Sequence, residues 1–382
     1  MNRISLLLIT CLIIGGCNGK KTSFHDVGIA EKSAEHAISF AKGFSLKAEG
    51  QNTVLTVRNP WQHANGVEFK YILSDTVTSS EKIDEHSWLI KTPVRSVICL
   101  STTHIGFIEY LNEISSVSGI SGKAYIVNDE IQAGIKNGRI ADVGFDENLN
   151  YELILKLEPD LVFAYGVSIA ITNTVKKLNE LGIPVILIGE YLEQEPLAKM
   201  EWVKAFAACY GQQGQVTQKF DSTVTRYKGL VKLAANVKSK PDVLLGLPWR
   251  GNWYISGSRS YIARLVKDAG GKYSWDHLDF NESRPIGLEK IYEKALTADL
   301  WLNPGEALSK KDILSVDERF GNLPSFINDQ VFNNNNLLAE SGGNAFYESG
   351  VVEPDIILSD LIYILHPQLL PSYRLKYYRK LP

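Results

Sequence analysis

From residue 94 onward, short and almost unbroken apolar runs alternate with amphipathic stretches. The runs Val94–Leu100, 161–164, 183–188, 243–245 and 300–302 are each bounded by glycine, proline or polar residues. That is the pattern of strands buried on both faces. Between them, apolar residues recur at three- and four-residue spacing. Helices are expected after a cap at Thr102 or Thr103, after Gly166 to about Leu181, from Ser260 to Ala269 and from Pro354 to Leu365. Such alternation predicts a mostly parallel sheet with helices on both faces. Two stretches echo one another, 150–166 and 287–305. Each carries a glutamate near its start (Glu152, Glu289), then an aspartate (Asp160, Asp299), an apolar run and a glycine (Gly166, Gly305). Each reads as a short helix feeding a buried strand whose following loop faces a cleft. Two copies predict two similar lobes. Asp160 and Asp299 are expected to be turn residues without chemistry.

Ahead of the lobes, 44–73 alternates with period two across the turn 49–52, which predicts a small β extension over 31–92. Trp61 is expected to anchor it by packing. Residues 195–239 predict helices broken at 211–214 and followed by a long helix of about 20 residues. At 1.5 Å per residue that covers about 30 Å, enough to link both lobes stiffly. The lobes are then 93–194 and 240–382, with a basic, aromatic tail at 371–382 expected to strap onto the body. The expected fold class is α/β: two doubly wound lobes joined by a backbone helix.

The first residues change the picture. Arg3 is followed by an apolar run from Ile4 to Ile14 and then by Gly15-Gly16-Cys17. This reads as a secretory signal over 1–16, too short to span a bilayer. It resembles a bacterial lipobox, which makes Cys17 the expected lipidation site and 17–30 a tether to a lipid bilayer. Removing 1–16 takes away only Arg3, so the net charge goes from −3 to −4. No basic tract is present, and nucleic acid is not an expected partner. Beyond Cys11 and Cys17 there remain Cys99 and Cys209. They are expected to be buried free thiols, with a disulfide the alternative in an exported chain.

The richest candidate for ligand contact is 248–256, which offers Trp249, Arg250, Trp253 and Tyr254 directly after a strand. Flat rings suit a macrocycle or an aromatic chelator, and a guanidinium can fork onto a carboxylate. Further cleft candidates are Ser101, Thr102, Tyr125, Tyr165, Trp275 and Arg284, with His104 read as a hydrogen-bonding residue. No Gly-x-Ser-x-Gly elbow, phosphate loop or His-Glu-x-x-His is present. No enzyme, cofactor or metal site is expected.

One ordered set of residues resembles a known family. It comprises Arg95–Ser101, Val143-Gly144 leading to Glu152, and Glu158-Pro-Asp-Leu-Val162. It continues with Ser256-Gly257 and Tyr261, Asp268–Gly271, Glu289 and Asp299–Leu302. Over 94–366 this is similar to the helical-backbone periplasmic binding proteins of ABC importers, which bind iron–siderophores and cobalamin. The resemblance implies a permease as partner, with Glu152 and Glu289 docking on it; the ligand is not carried over, and the aromatic candidates predict a large metal chelate, an iron–siderophore or a cobalamin-like corrinoid, held between the lobes. It also implies location in the periplasm or cell envelope as an anchored lipoprotein. The alternatives are a haem-binding lipoprotein and a metal-dependent enzyme on the same scaffold. The extension and the tail are departures from the family pattern.

Overall fold

The computed structural model describes residues 38–145 and 148–382. The expected signal, Cys17 and the expected tether lie outside the described residues. The molecule is α/β, and its described residues form three five-stranded sheets and one two-stranded ribbon.

The first sheet contains β1 (Phe44–Glu49), β2 (Asn52–Arg58), β3 (Glu68–Ser74), β4 (Glu81–Lys82) and β5 (Ser87–Lys91), in the order β1-β2-β3-β5-β4. Its pairs are antiparallel except β3 with β5. The inward half of the alternation (Phe44, Leu55, Phe69, Tyr71, Trp88) joins the same core as the first lobe. The Leu187 N–H donates to the Tyr71 hydroxyl at 3.3 Å. The extension is therefore fused to that lobe. Trp61 is buried and meets Phe69 edge-on at 6.3 Å, as its packing role requires.

The first lobe holds β6 (Val97–Cys99), β7 (Val117–Ile120), β8 (Ala141–Asp142), β9 (Leu161–Ala164) and β10 (Val185–Leu187). All are parallel, in the order β10-β9-β6-β7-β8. The second lobe holds β11 (Asp242–Leu245), β12 (Trp253–Ser256), β13 (Lys272–Tyr273), β14 (Ser283–Ile286), β15 (Leu300–Leu302), β16 (Val331–Asn333) and β17 (Arg379–Lys380). Its sheet runs β13-β11-β15-β16-β17, parallel except β17, and β12 pairs with β14 as a separate antiparallel ribbon. Both faces of these strands are covered, which is why they read as unbroken apolar runs. The echo has a physical cause. Asp160 Oδ2 accepts the Arg95 and Ser96 N–H groups at 2.7 and 3.0 Å, just before β6. Asp299 Oδ2 accepts the Asp242 N–H at 2.7 Å, at the start of β11. Each aspartate ties the strand it precedes to its neighbour. Cys99 and Cys209 are both free and buried.

Helices Pro196–Glu201 and Val203–Tyr210 lead to Gly211, whose φ of +69° turns the chain into the helix Gln213–Ala235. That helix has 23 residues and spans about 35 Å. Val216 packs into the core of the first lobe, and Tyr227 and Ala234 into that of the second. A second crossing joins the lobes. Residues 337–353 carry Val351 and Val352 into the first core before helix Pro354–Leu365 returns to the second. A Cβ on Gly106 would stand 2.2 Å from the Glu348 carbonyl oxygen, so only glycine allows this approach. The buried Glu348 carboxylate then accepts the Val127 and Asn128 N–H groups at 2.8 and 2.7 Å.

Burial, with Glu109 nearby, pushes the Glu348 carboxyl up to about 7 against the opposing pull of the two N–H groups. Its folded value is raised, so the folded chain holds this proton more tightly than the unfolded chain. The contribution is complete below the unfolded value of 4.5 and is lost as pH rises through about 7. The window is worth about 3 kcal/mol at most. Glu348→Gln is expected to remove that pH slope from urea-unfolding free energies measured between pH 4.5 and 7.5. An unchanged slope would exclude Glu348 as its source.

Residues 39–43 and the C-terminal tail are each gripped by buried carboxylates. At the first, Glu201 accepts the N–H groups of Ser39, Phe40 and Ala41, and Glu193 accepts those of Lys42 and Gly43. Lys204 neutralises Glu201 at 2.8 Å. At the end, Asp360 accepts the N–H groups of Lys376, Tyr377 and Tyr378 and the Tyr373 hydroxyl. The tail is thus an integral edge of the second sheet, since β17 pairs with β16.

Candidate functional site

In open α/β sheets the ligand crevice lies outside the carboxyl ends of the strands, where strand order reverses. In the first lobe that point falls between β6 and β9, so Ser101 and Tyr165 stand at it. In the second it falls between β11 and β15, at 246–250 and 303–305.

Ser101 caps helix Thr102–Tyr110 by accepting the Thr103 N–H at 3.3 Å, and its hydroxyl meets that of Thr103 at 2.9 Å. Thr102 is half-buried in the first turn. Tyr165 is half-buried, edge-on to His104. His104 itself is fully buried among Phe163, Tyr165 and Phe206. Burial pushes its imidazole down to about 3, so it stays neutral, and neither ring nitrogen has a hydrogen-bond partner among the described residues, against the hydrogen-bonding role expected of it. Tyr125 follows β7, exposed and tilted against Phe145 at 5.7 Å.

After β11 the chain forms a tight hairpin. The Trp249 N–H donates to the Asn252 carbonyl at 2.8 Å, and the reverse bond is 3.1 Å. Arg250 and Gly251 have φ of +50° and +78°, the geometry that matches a strand's right-handed twist. Trp249 is 60% exposed, with the Arg250 guanidinium 4.4 Å above its ring. Tyr254 is also exposed. Trp253 departs from expectation, being 1% exposed. Its indole donates to the Leu245 carbonyl at 3.0 Å and stacks on Trp301 at 5.9 Å. Strand alternation along β12 turns it into the core while Tyr254 faces out. Trp275 is buried as well. Arg284 lies exposed on β14, over the Phe280 ring at 4.3 Å. The acids near it are engaged elsewhere, Asp279 with Arg259 and Glu282 with His63. Glu152 and Glu289 are exposed in the first turns of helices Tyr151–Lys156 and Leu288–Ala295, on different lobes.

Sequence reasoning missed a polar line joining the lobes. Glu190, just after β10, is buried, and burial raises its carboxyl against the pull of Lys199 and Thr103. Its Oε2 has no hydrogen-bond partner among the described residues. Lys199 sits 5.2 Å from the Tyr261 ring of the second lobe, and burial lowers its ammonium. The available signal was an acid directly after a strand-ending glycine. Of the exposed apolar side chains beyond the strands, sequence reasoning named Tyr125 and Trp249 and missed the others. Tyr125, Phe145, Val167 and Ile169 follow strands of the first sheet, and Trp249, Leu308, Leu337 and Tyr347 follow strands of the second. Among the described residues no three His, Cys, Asp or Glu side chains converge as a metal site requires.

An uncharacterized lipoprotein of Methanocaldococcus jannaschii is 26% identical over 409 aligned residues, covering 99% of this chain and 95% of its own. An ABC-type Fe3+-hydroxamate transport system protein from Saccharomonospora viridis superposes with a TM-score of 0.54 at 16% identity, over 72% of this chain and 94% of its own. A periplasmic heme binding protein from Pseudomonas aeruginosa gives 0.52 at 13% identity, over 72% and 93%. These two structures share the fold. The periplasmic binding protein profile matches residues 97–335, which runs from β6 to β16 and takes in the sheet of the first lobe, the backbone helix and most of the second sheet. The chain belongs to the periplasmic binding protein family.

Proposed function

We propose that this chain is the substrate-binding lipoprotein of an ABC importer, anchored at Cys17. It captures an iron–siderophore or a cobalamin-like corrinoid between its lobes and hands it to the permease. The observation that carries the ligand class is the set of exposed apolar side chains in the segments that follow strands of both lobes. Exposed apolar surface facing a cleft from two sides suits a large, flat or greasy chelate. Trp249 with Arg250 is the strongest single contact, and Tyr254, Ser101, Thr102, Tyr125, Tyr165 and Arg284 complete the candidate set. Glu152 and Glu289 are the permease-docking residues. In this role the protein is a carrier, and any iron or cobalt enters as cargo.

The test is tryptophan fluorescence titration with ferric siderophores, cobalamin and hemin, with the hemin arm also read by a Soret band. One member is expected to quench saturably. Trp249→Ala is expected to weaken that ligand about tenfold or more while leaving stability within about 0.5 kcal/mol, because the side chain is exposed. A panel without saturable quenching would overturn the chelate reading. A Soret shift with hemin alone would move the assignment to haem.

A further inference from the structure

The loop between β2 and β3 touches both lobes. Its base is closed by the Asn59 N–H on the Val67 carbonyl at 2.9 Å and the Val67 N–H on Asn59 Oδ1 at 3.0 Å. Trp61 is 6% exposed and fixes the loop to the extension. On the first lobe the Gln62 N–H donates to the Val167 carbonyl at 3.2 Å, in the loop that follows β9. The backbone of Pro60 lies against Gly189, just after β10. On the second lobe His63 Nδ1 stands 3.8 Å from Glu282 Oε1. Glu282 directly precedes β14, and its carbonyl accepts the Gly257 N–H close to the start of helix Tyr261–Asp268. Loops after parallel strands and the starts of the helices that follow them lie at the carboxyl edge of a sheet. The loop therefore crosses from one lobe to the other on the cleft side.

We propose that residues 59–67 are a gate over the ligand cleft, hinged on Trp61 and caught on Glu282 by His63, which a ligand must displace to enter or leave. The two ends differ in strength. Trp61 is packed into a core, while the His63 and Glu282 side chains are 77% and 46% exposed. An exposed contact of this kind opens at little cost. Only this catch ties the loop to the second lobe among the interactions named here, so it sets whether the cleft is spanned. The gate also limits occupant size, since it adds a third wall that the two sheets do not supply. This inference rests on the reading that ligand sits between the strand ends.

The test uses the full chain with His63→Cys and Glu282→Cys, probed with hemin and with a ferric trihydroxamate. Mild oxidation is expected to cross-link the pair. Cys99 and Cys209 are too buried to compete. Closing the link is expected to slow association and release of a bound probe at least tenfold, and reduction to restore both rates. His63→Ala is expected to speed release several-fold without altering the melting temperature. Equal rates in the oxidised and reduced protein, or a pair that does not cross-link, would overturn the gate. A ligand-free arm separates the two readings. Hydrogen exchange at 167–171 and 281–284 is expected to slow on cross-linking and to quicken in His63→Ala. If neither probe binds the unaltered chain, the cleft reading fails for those ligands. Unchanged exchange at both loops overturns the gate whatever the probes do.

Discussion

Asp360→Ala is expected to destabilise the protein by about 3–5 kcal/mol, read as a fall in the urea midpoint with the denaturant slope retained. The carboxylate is fully buried and accepts four hydrogen bonds, from the N–H groups of Lys376, Tyr377 and Tyr378 and from the Tyr373 hydroxyl. Alanine leaves the buried Tyr377 and Tyr378 N–H groups without an acceptor, at a cost of about 1–3 kcal/mol each, and removes the Lys376 partner, while the Tyr373 hydroxyl keeps the Ile356 carbonyl at 3.2 Å. Tyr377 and Tyr378 are themselves fully buried, so the tail does not simply drift into solvent. Asp360→Asn restores one acceptor but aims an N–H at the remaining donors, and is expected to fall between wild type and alanine. A loss below about 1 kcal/mol in Asp360→Ala would mean that β17 and the core hold the tail unaided.

If the proposed transport role holds, Glu152→Ala combined with Glu289→Ala is expected to abolish uptake of the proposed chelate in cells while leaving its affinity for the purified protein unchanged. Both side chains are exposed, each in the first turn of a helix on its own lobe. A carboxylate there complements the helix dipole, by about 0.3–1 kcal/mol at each site, so stability falls only slightly. That local benefit accounts for either glutamate alone. Placement ahead of β9 in one lobe and β15 in the other gives the molecule two matched anionic points, suited to cationic side chains on a two-sided partner. Uptake that survives in the double variant would leave the dipole as their only role.

The sheets were legible because they are buried on both faces. Runs such as 161–164 and 183–188 allow little but a central parallel strand, and the helical link was carried by an apolar stripe that reaches both cores. The extension was legible from period two, although its fusion to the first lobe was not, because a sequence does not say which face meets which. The site was legible only in part. Trp249 and Trp253 are equally aromatic and only four positions apart, yet Trp249 stands in the exposed hairpin ahead of β12 while Trp253, the first residue of β12, goes under Trp301. Glu190 and Lys199 were missed because each looks like an ordinary surface charge until the fold brings Tyr261 across from the other lobe. The Glu348 clasp was invisible for a related reason. Its partners are backbone N–H groups more than two hundred positions away, and a backbone donor has no letter in the sequence.

The grip on residues 39–43 has a mechanical side. Five successive backbone N–H groups are held by Glu201 and Glu193, which stand where the chain leaves the first lobe for the helical link. A pull on whatever precedes residue 38 is therefore received at the joint between the lobes and shared by several hydrogen bonds in parallel. Under the proposed anchoring at Cys17, neither lobe would take the load at its own strand ends, and the proposed binding face would stay undistorted.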